Sequence, residues 1–379
     1  MDLSISVEQK ILSESVARFI SNDYLFENRM KIAESTEYFS KECWKTYAEL
    51  GWTAVPFSED DGGLGGGPVE IMLMMKEFGR GLVIEPFLAN IILAGGILKR
   101  CASKEQKEKW LTKIIEGNLQ AALAFNEKQS GFNIANISTT AKKENGNFVL
   151  NGEKSLVLNG GSAELIIIPA RTSGKQDDIE GITLFAVPAE VKGIKKKNYK
   201  TVDAHSASEI TLSNVNVTEN AIIGRIDNAY KTLQDTIDEA TLAVSAEATG
   251  IMKSLHEKTV EYTKSRVQFG VPISSFQALQ HRMVDTLMEC EQSESLLLWS
   301  VMVYPEGDAN MQKAISALKY QIGTAGKHVG QEAVQLHGAM GVTWELDVSH
   351  LFKRLTTIDI LFGNADFHLD RFISLSKKS

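Results

Sequence analysis

The spacing of apolar residues changes twice along the 379-residue chain, and this constrains its fold more than any other feature. Up to about residue 118 they recur at helical spacing. In "SVEQKILSESVARFI", Ile11, Val16, Phe19 and Ile20 fall near one face, and Ser6 is placed to cap the helix. "CWKTYAELG" stops at Gly51, Pro68 opens "PVEIMLMMKEFGRG", and Ser103 and Gly117 bracket "SKEQKEKWLTKIIEG". From 119 to 226 the runs become short and β-rich, as in "NFVLNGEKSLVLN", "ELIIIPAR", "ITLFAVP" and "EITLSNVNV". Asn145-Gly146, Asn151-Gly152 and Asn159-Gly160 punctuate them, and Asn-Gly tolerates the positive φ of tight hairpins. Such strands predict a barrel or sandwich. From 227 to 379 the helical spacing returns. "FQALQHRMVDTLMEC" sets Phe276, Leu279, Met283, Leu287 and Cys290 on one stripe, and the small residues of "AISALKYQIGTAGKHVGQEAVQLHG" suit close helix packing. The expected fold is α+β: an N-terminal α-helical domain over 1–118, a middle β-barrel or sandwich domain over 119–226, and a C-terminal helical-bundle domain over 227–379.

Several function classes drop out. The formal net charge is -8 and no basic face is evident, which argues against nucleic acid; Lys195-Lys196-Lys197 reads as a solvated surface turn. The three cysteines are far apart with no CxxC pair, and the seven histidines form neither HExxH nor an i,i+4 pair, so no disulfide framework or metal site is expected. "DDGGLGGG" lacks a following Lys-Ser/Thr and reads as a flexible turn, and neither GxGxxG after a strand nor GxSxG occurs. "MDLSISVEQKILSESVARFI" has no basic start and no apolar core run, and no stretch has the roughly 20 apolar residues of a membrane span, so a cytoplasmic protein is expected.

Two stretches carry chemistry. In "SRVQFGVPISSFQALQHRMVD", Arg266, Gln268 and Phe269 stand where a helix breaks at Gly270-Val271-Pro272. An arginine beside an aromatic suits a pyrophosphate and a flat ring, and the plainer alternative is a surface Arg with a core Phe. In "QLHGAMGVTWELDVSHLFKRL", Gly338, Ala339 and Gly341 let backbone approach a ligand, or simply end a helix. Both stretches closely resemble the acyl-CoA dehydrogenase family, whose pattern is Arg-x-x-Phe-Gly-x-x-Ile-x-x-Phe-Gln-x-x-Gln-His and then Gln-x-x-Gly-Gly-x-Gly. The resemblance covers the full chain: "ELGWTAVPFSEDDGGLG" is similar to the family's N-terminal loop, "NGEKSLVLNGG" to its β-domain hairpin and "ASEITLSNVNV" to the strand leaving that domain. "EDDGGLGGGPVEIML", "FGVPISSFQALQHRMVD" and "LFGNADFHL" resemble the small subunits of bacterial pimeloyl-CoA-type dehydrogenases.

That resemblance implies a helical domain, a β-domain and a four-helix C-terminal bundle, with FAD between domains and across a subunit interface. It implies that Arg266, Gln268, Phe269, Gln335 and Gly338 serve a neighbour's flavin, while Asn364 and Asp366 lie near the chain's own. The implied reaction is α,β-dehydrogenation of an acyl-CoA thioester, a carboxylate taking the α-proton, with electrons passing to an electron-transferring flavoprotein. This sequence departs from the pattern on one side. The usual glutamate before Gly363 is Phe362, and the alternative base position is Ala240. The hairpin's usual Trp and Thr are Leu156 and Leu158, and Thr-Glu-Pro is Asn126-Glu127-Lys128. Glu239 is the candidate substitute base, with Asp238 and Asp359 behind it. The expected function is the small subunit of a heteromeric enzyme, a heterotetramer whose paralogous large subunit carries the catalytic glutamate. The alternatives are a self-sufficient flavoenzyme, a homodimer with a displaced base, and a non-catalytic interaction protein on this fold.

Overall fold

The computed structural model describes residues 5–306 and 309–377. Helix α1 (Val7–Asn22) begins with a capping box, the Ser6 side chain accepting from the Gln9 amide while the Gln9 side chain accepts from the Ser6 amide. Helices α2 (Phe26–Glu34), α3 (Lys41–Glu49) and α4 (Pro68–Arg80) follow. Next comes a wholly buried π-helical stretch, Phe87–Gly95, that no sequence motif announces; it runs into α5 (Gly96–Cys101). A second capping box at Ser103 opens α6 (Lys104–Gln106), and α7 (Thr112–Ile115) stops before Gly117 at φ 75°. The glycine-rich loop is not a flexible turn. Its Leu64, Gly65 and Gly66 amides bond the Ala54, Phe57 and Val55 carbonyls. A Cβ on Gly63 would come 2.2 Å from the Phe57 carbonyl oxygen, so the glycine serves close packing.

The strands are β1 (Ala121–Leu123), β2 (Thr140–Glu144), β3 (Asn147–Leu158), β4 (Leu165–Arg171), β5 (Ile182–Pro188), β6 (Ile194–Lys200), β7 (Ser206–Val217) and β8 (Ile222–Ile223). They form one sheet in the order β6-β7-β3-β2-β4-β5-β8, with β1 beside β4; it is antiparallel except where β4 meets β1 and β2. The sheet curls over its apolar face. Phe148 on β3 and Phe185 on β5, separated by two strands in sheet order, bring their ring centroids to 5.3 Å. Leu150, Ile166, Ile168, Val187, Ile210 and Leu212 fill the same core. Asn145 and Gly146, at φ 50° and 82°, make the β2–β3 turn, and Asn159 at φ 59° ends β3. Asn151-Gly152 makes no turn; it sits inside β3 where the register with β7 slips, and a Cβ on Gly152 would lie 2.5 Å from Thr139 Oγ1. Lys195–Lys197 lie in strand β6, not a turn, and Lys196 Nζ reaches the Gly161 and Ala163 carbonyls.

The remaining elements are α8 (Tyr230–Ser265), β9 (Val267–Gln268), β10 (Val271–Pro272), α9 (Gln277–Val303), α10 (Ala309–His337), α11 (Asp347–Ile360) and α12 (Ala365–Ser376). Contacts divide the chain otherwise than its element order does: residues 1–30, 68–83 and 241–379 form one compact unit, and residues 31–67 and 84–240 the other. In the first unit α10 is central, packed on α9, α11 and α12. Helices α4 and α8 touch backbone to backbone, because a Cβ on Gly79 would lie 2.1 Å from the Glu247 carbonyl oxygen and one on Gly250 2.0 Å from that of Lys76. Arg354 on α11 clasps Glu247 on α8 through two bonds of 2.6 and 2.8 Å. The α9 stripe is only partly core: Met283 and Cys290 are buried, whereas Phe276 and Leu287 are exposed beside Val284 and Met288. Among the described residues no helix is long and apolar enough to cross a membrane.

Candidate functional site

The sequence motifs gather in two places on the helical unit. At the end of α8, the Arg266 amide bonds the Tyr262 carbonyl and the chain turns back on itself, Val271 pairing with Gln268. Phe269 and Gly270 make the turn at φ 55° and 81°, a conformation that a phenylalanine adopts only under strain. Phe269 is nevertheless 93% exposed. Arg266 is exposed too, and its guanidinium has no hydrogen-bond or ion-pair partner among the described residues. Gln268 turns its amide onto the Val267 carbonyl at 2.8 Å. At the end of α10, His337 stacks on Tyr262 with ring centroids 4.4 Å apart and bonds the Ala333 carbonyl through Nδ1. That stack brings Gln335 and Gly338, both exposed, to the hairpin's end of the bundle; Gly338 has φ 60°, and a Cβ there would meet nothing within 4 Å.

The second place is the corner between α11 and α12. Phe362 and Gly363 hold φ 61° and 113°. Lys319 of α10 passes beneath them, its Nζ donating to the Asp359 carbonyl at 2.9 Å and the Gly363 carbonyl at 2.7 Å. His368 donates from Nε2 to the Phe362 carbonyl at 3.1 Å. Asn364 caps α12 by accepting from the Phe367 amide, and Asp366 stands exposed in its first turn. Burial pulls the Lys319 amine down to about 7. Burial, then the Lys319 and Arg371 charges, push His368 down to about 3. Gly323 packs against Ala365. From there to Gln335 is twelve residues of α10, about 18 Å at 1.5 Å per residue, so the two motif groups occupy separate stations on one helix.

The substitute bases are all engaged. Glu239 lies between Lys99 Nζ and Arg100 Nη2, each at 2.7 Å. Burial by itself would raise its pKa, but the two cations outweigh burial and lower it. A carboxylate held ionised by two cations is a poor proton acceptor, which argues against Glu239 as a base. Ala240 beside it is fully buried, Asp238 is buried and accepts from the Gln234 side chain, and Asp359 Oδ1 accepts from the Ala365 amide.

In the sheet unit, Glu127 is committed as well. It pairs with Lys154 of β3 at 2.7 Å, both side chains wholly buried, and accepts from the Ser138 amide and hydroxyl and the Thr139 amide. Burial opposes its charge, but Lys154 and these donors bring it down to about 2. The pair fastens the segment after β1 to β3. Leu156 at φ 47° and Leu158 follow on the same strand, half-buried, with no side-chain atom able to donate. Lys154 and His368 stand inside the family-like stretches "NGEKSLVLNGG" and "LFGNADFHL", but nothing in those stretches marks either residue for its partner. Lys319 was readable, since it stands four residues after Ile315 on the face that Ala314, Leu318 and Ile322 bury.

Comparison with known proteins gives one consistent family. The models for the N-terminal, middle and C-terminal domains of acyl-CoA dehydrogenase match residues 6–118, 122–215 and 230–373. The chain is 26% identical to the probable acyl-CoA dehydrogenase YngJ of Bacillus subtilis over 371 residues, 97% of each chain. It is 25% identical over 365 residues to the caffeyl-CoA reductase–Etf complex subunit CarC of Acetobacterium woodii, covering 95% of this chain and 96% of that one. The solved structure of PigA with FAD and proline superposes with a TM-score of 0.91 at 26% identity, each chain covered completely.

Proposed function

Because the chain belongs to the acyl-CoA dehydrogenase family, we propose that it works as the small subunit of a heteromeric, FAD-dependent acyl-CoA dehydrogenase whose base is carried by a paralogous large subunit. The observation that carries this reading is the contrast between the open hairpin end of the helical unit and other family positions, in each unit taken by itself, that lack the expected chemistry. Arg266, Phe269 and Gly338 present a free cation, a bare ring and an unobstructed backbone at one end of the bundle. That set fits the phosphate and ring of a flavin nucleotide supplied by a neighbouring subunit. The remaining family positions do not fit. Leu156 and Leu158 offer no donor to a polar ring edge, Glu127 is spent on Lys154, and Phe362 has no group that takes a proton.

When bound, the flavin supplies the hydride acceptor. This chain's own residues then have three tasks: Arg266 neutralises phosphate charge, Phe269 covers a flat face, and the exposed Gln335 and Gly338 let their main chain approach the ligand closely. Asn364 and Asp366 shape the chain's own corner. The substrate is a CoA thioester, of a medium-length dicarboxylic or ring-derived acid if the small-subunit resemblance carries through, and an electron-transferring flavoprotein takes the electrons. The likeness to an Etf-complex subunit supports that last assignment.

The pair purified after co-expression tests the reading. Arg266→Gln in this chain is expected to lower the flavin content of the pair about tenfold, in line with one lost charge-assisted contact. Phe362→Ala is expected to leave its turnover within about twofold. Full activity of this chain without a partner overturns the proposal.

A further inference from the structure

Lys319 is fully buried, yet among the described residues no carboxylate lies within ion-pair distance of its Nζ. Two main-chain carbonyls are its partners, those of Asp359 and Gly363, which flank the strained Phe362. An ammonium has three protons for these two acceptors, whereas a neutral amine has two. A buried lysine with no ion-pair partner at contact distance is costly to the fold unless it sheds its proton, and here burial outweighs the opposing pull of the Asp359 charge. The groups facing it are Asp359 from α11 and His368 from α12, with Arg371 behind His368. His368 already donates to the Phe362 carbonyl, so it gives Lys319 no anion. Asp359 directs Oδ1 at the Ala365 amide.

We infer that Lys319 is a positioning residue that holds the Phe362–Gly363 corner through its neutral amine, making the main-chain shape at the family's base position dependent on pH. The corner's carbonyls are held from below by α10 and α12. Only the bearing on an acyl site rests on the proposed dehydrogenase function; the corner itself rests on this geometry.

The sign follows from the lowered pKa. Above about pH 7 the folded corner carries a neutral amine while an opened one takes up a proton. Opening therefore becomes harder as pH rises, by up to about tenfold per unit until the free lysine value near 10.4. Below about pH 7 the Lys319 contribution is flat, and the dependence that remains comes from His368, whose release takes up a proton below about pH 6.5. The test is hydrogen–deuterium exchange on the full chain without ligand, between pH 6 and 9, corrected for intrinsic exchange. Protection at residues 361–365 is expected to rise steeply above about pH 7, while amides of Ile166–Ile168 in the sheet unit show no such rise. In Lys319→Met the rise at 361–365 is expected to vanish, with far-UV circular dichroism confirming that the helices remain. A flat wild-type profile overturns the inference without recourse to any variant, as does an equal rise in the sheet. Because no cofactor or substrate is present, failure of the dehydrogenase reading leaves this result untouched.

Discussion

The helical unit contains two Phe-Gly corners of the same backbone class. Phe269-Gly270 and Phe362-Gly363 both place two consecutive residues at positive φ. They differ in what holds them. The second is braced by Lys319 and His368 from beneath, and a Cβ on Gly363 would strike Phe367 Cδ1 at 2.3 Å. The first projects into solvent, with nothing within 4 Å of a Cβ on Gly270. One corner is braced by the chain itself; the other is exposed, and on the proposed function it meets a neighbouring subunit's flavin. An exposed aromatic at a strained position destabilises the isolated chain, so its place in the structure makes sense when a partner covers it.

Four expectations probe that contrast, from the largest effect to the smallest. Acid should act on the braced parts. His368, lowered to about 3, and Glu127, lowered to about 2, both take up protons more readily unfolded than folded. Stability is thus lost as pH falls, first from about 6.5 for the histidine and then from about 4.5 for the carboxylate, at up to about 1.4 kcal/mol per unit for each group. Urea midpoints at pH 7 and pH 4 measure this, and Phe269→Ala should show the same difference because the open corner has no share in it. Gly363→Ala should cost about 3 kcal/mol, since strain and a hard contact coincide. Gly270→Ala should cost only about 1 kcal/mol, from φ alone. Phe269→Ala should change stability by less than about 0.5 kcal/mol, as exposed sites do, while weakening assembly with a partner. Similar costs for the two glycine variants would remove the distinction.

Much of this architecture is legible in the amino-acid sequence. The changes in apolar spacing locate the helical and β-rich regions, and Ser6 and Ser103 announce their capping boxes through Gln9 and Gln106 three residues on. Asn145-Gly146 is readable because a two-residue turn depends on local φ alone. Asn151-Gly152 misleads for the converse reason: the same dipeptide serves close approach to Thr139, a tertiary demand invisible in sequence. The site is legible as motifs but not as commitments. Glu239 reads as an available acid, yet Lys99 and Arg100, distant along the chain, bind it in ion pairs; Glu127 is likewise bound by Lys154 of β3. The missing base at 362 can be seen in the sequence, and the burial of Lys319 can be read from its helix face; its bonds to carbonyls 40 and 44 residues further on cannot.

The central claim is that this chain completes a neighbour's flavin site and lacks a working one of its own. The most direct measurement is the visible absorption spectrum of the chain purified alone and again after co-expression with its paralogue, each giving a flavin-to-protein ratio. The account predicts well under one flavin per chain alone and about one per heterodimer. One flavin per chain alone, bleached by anaerobic acyl-CoA, would contradict it.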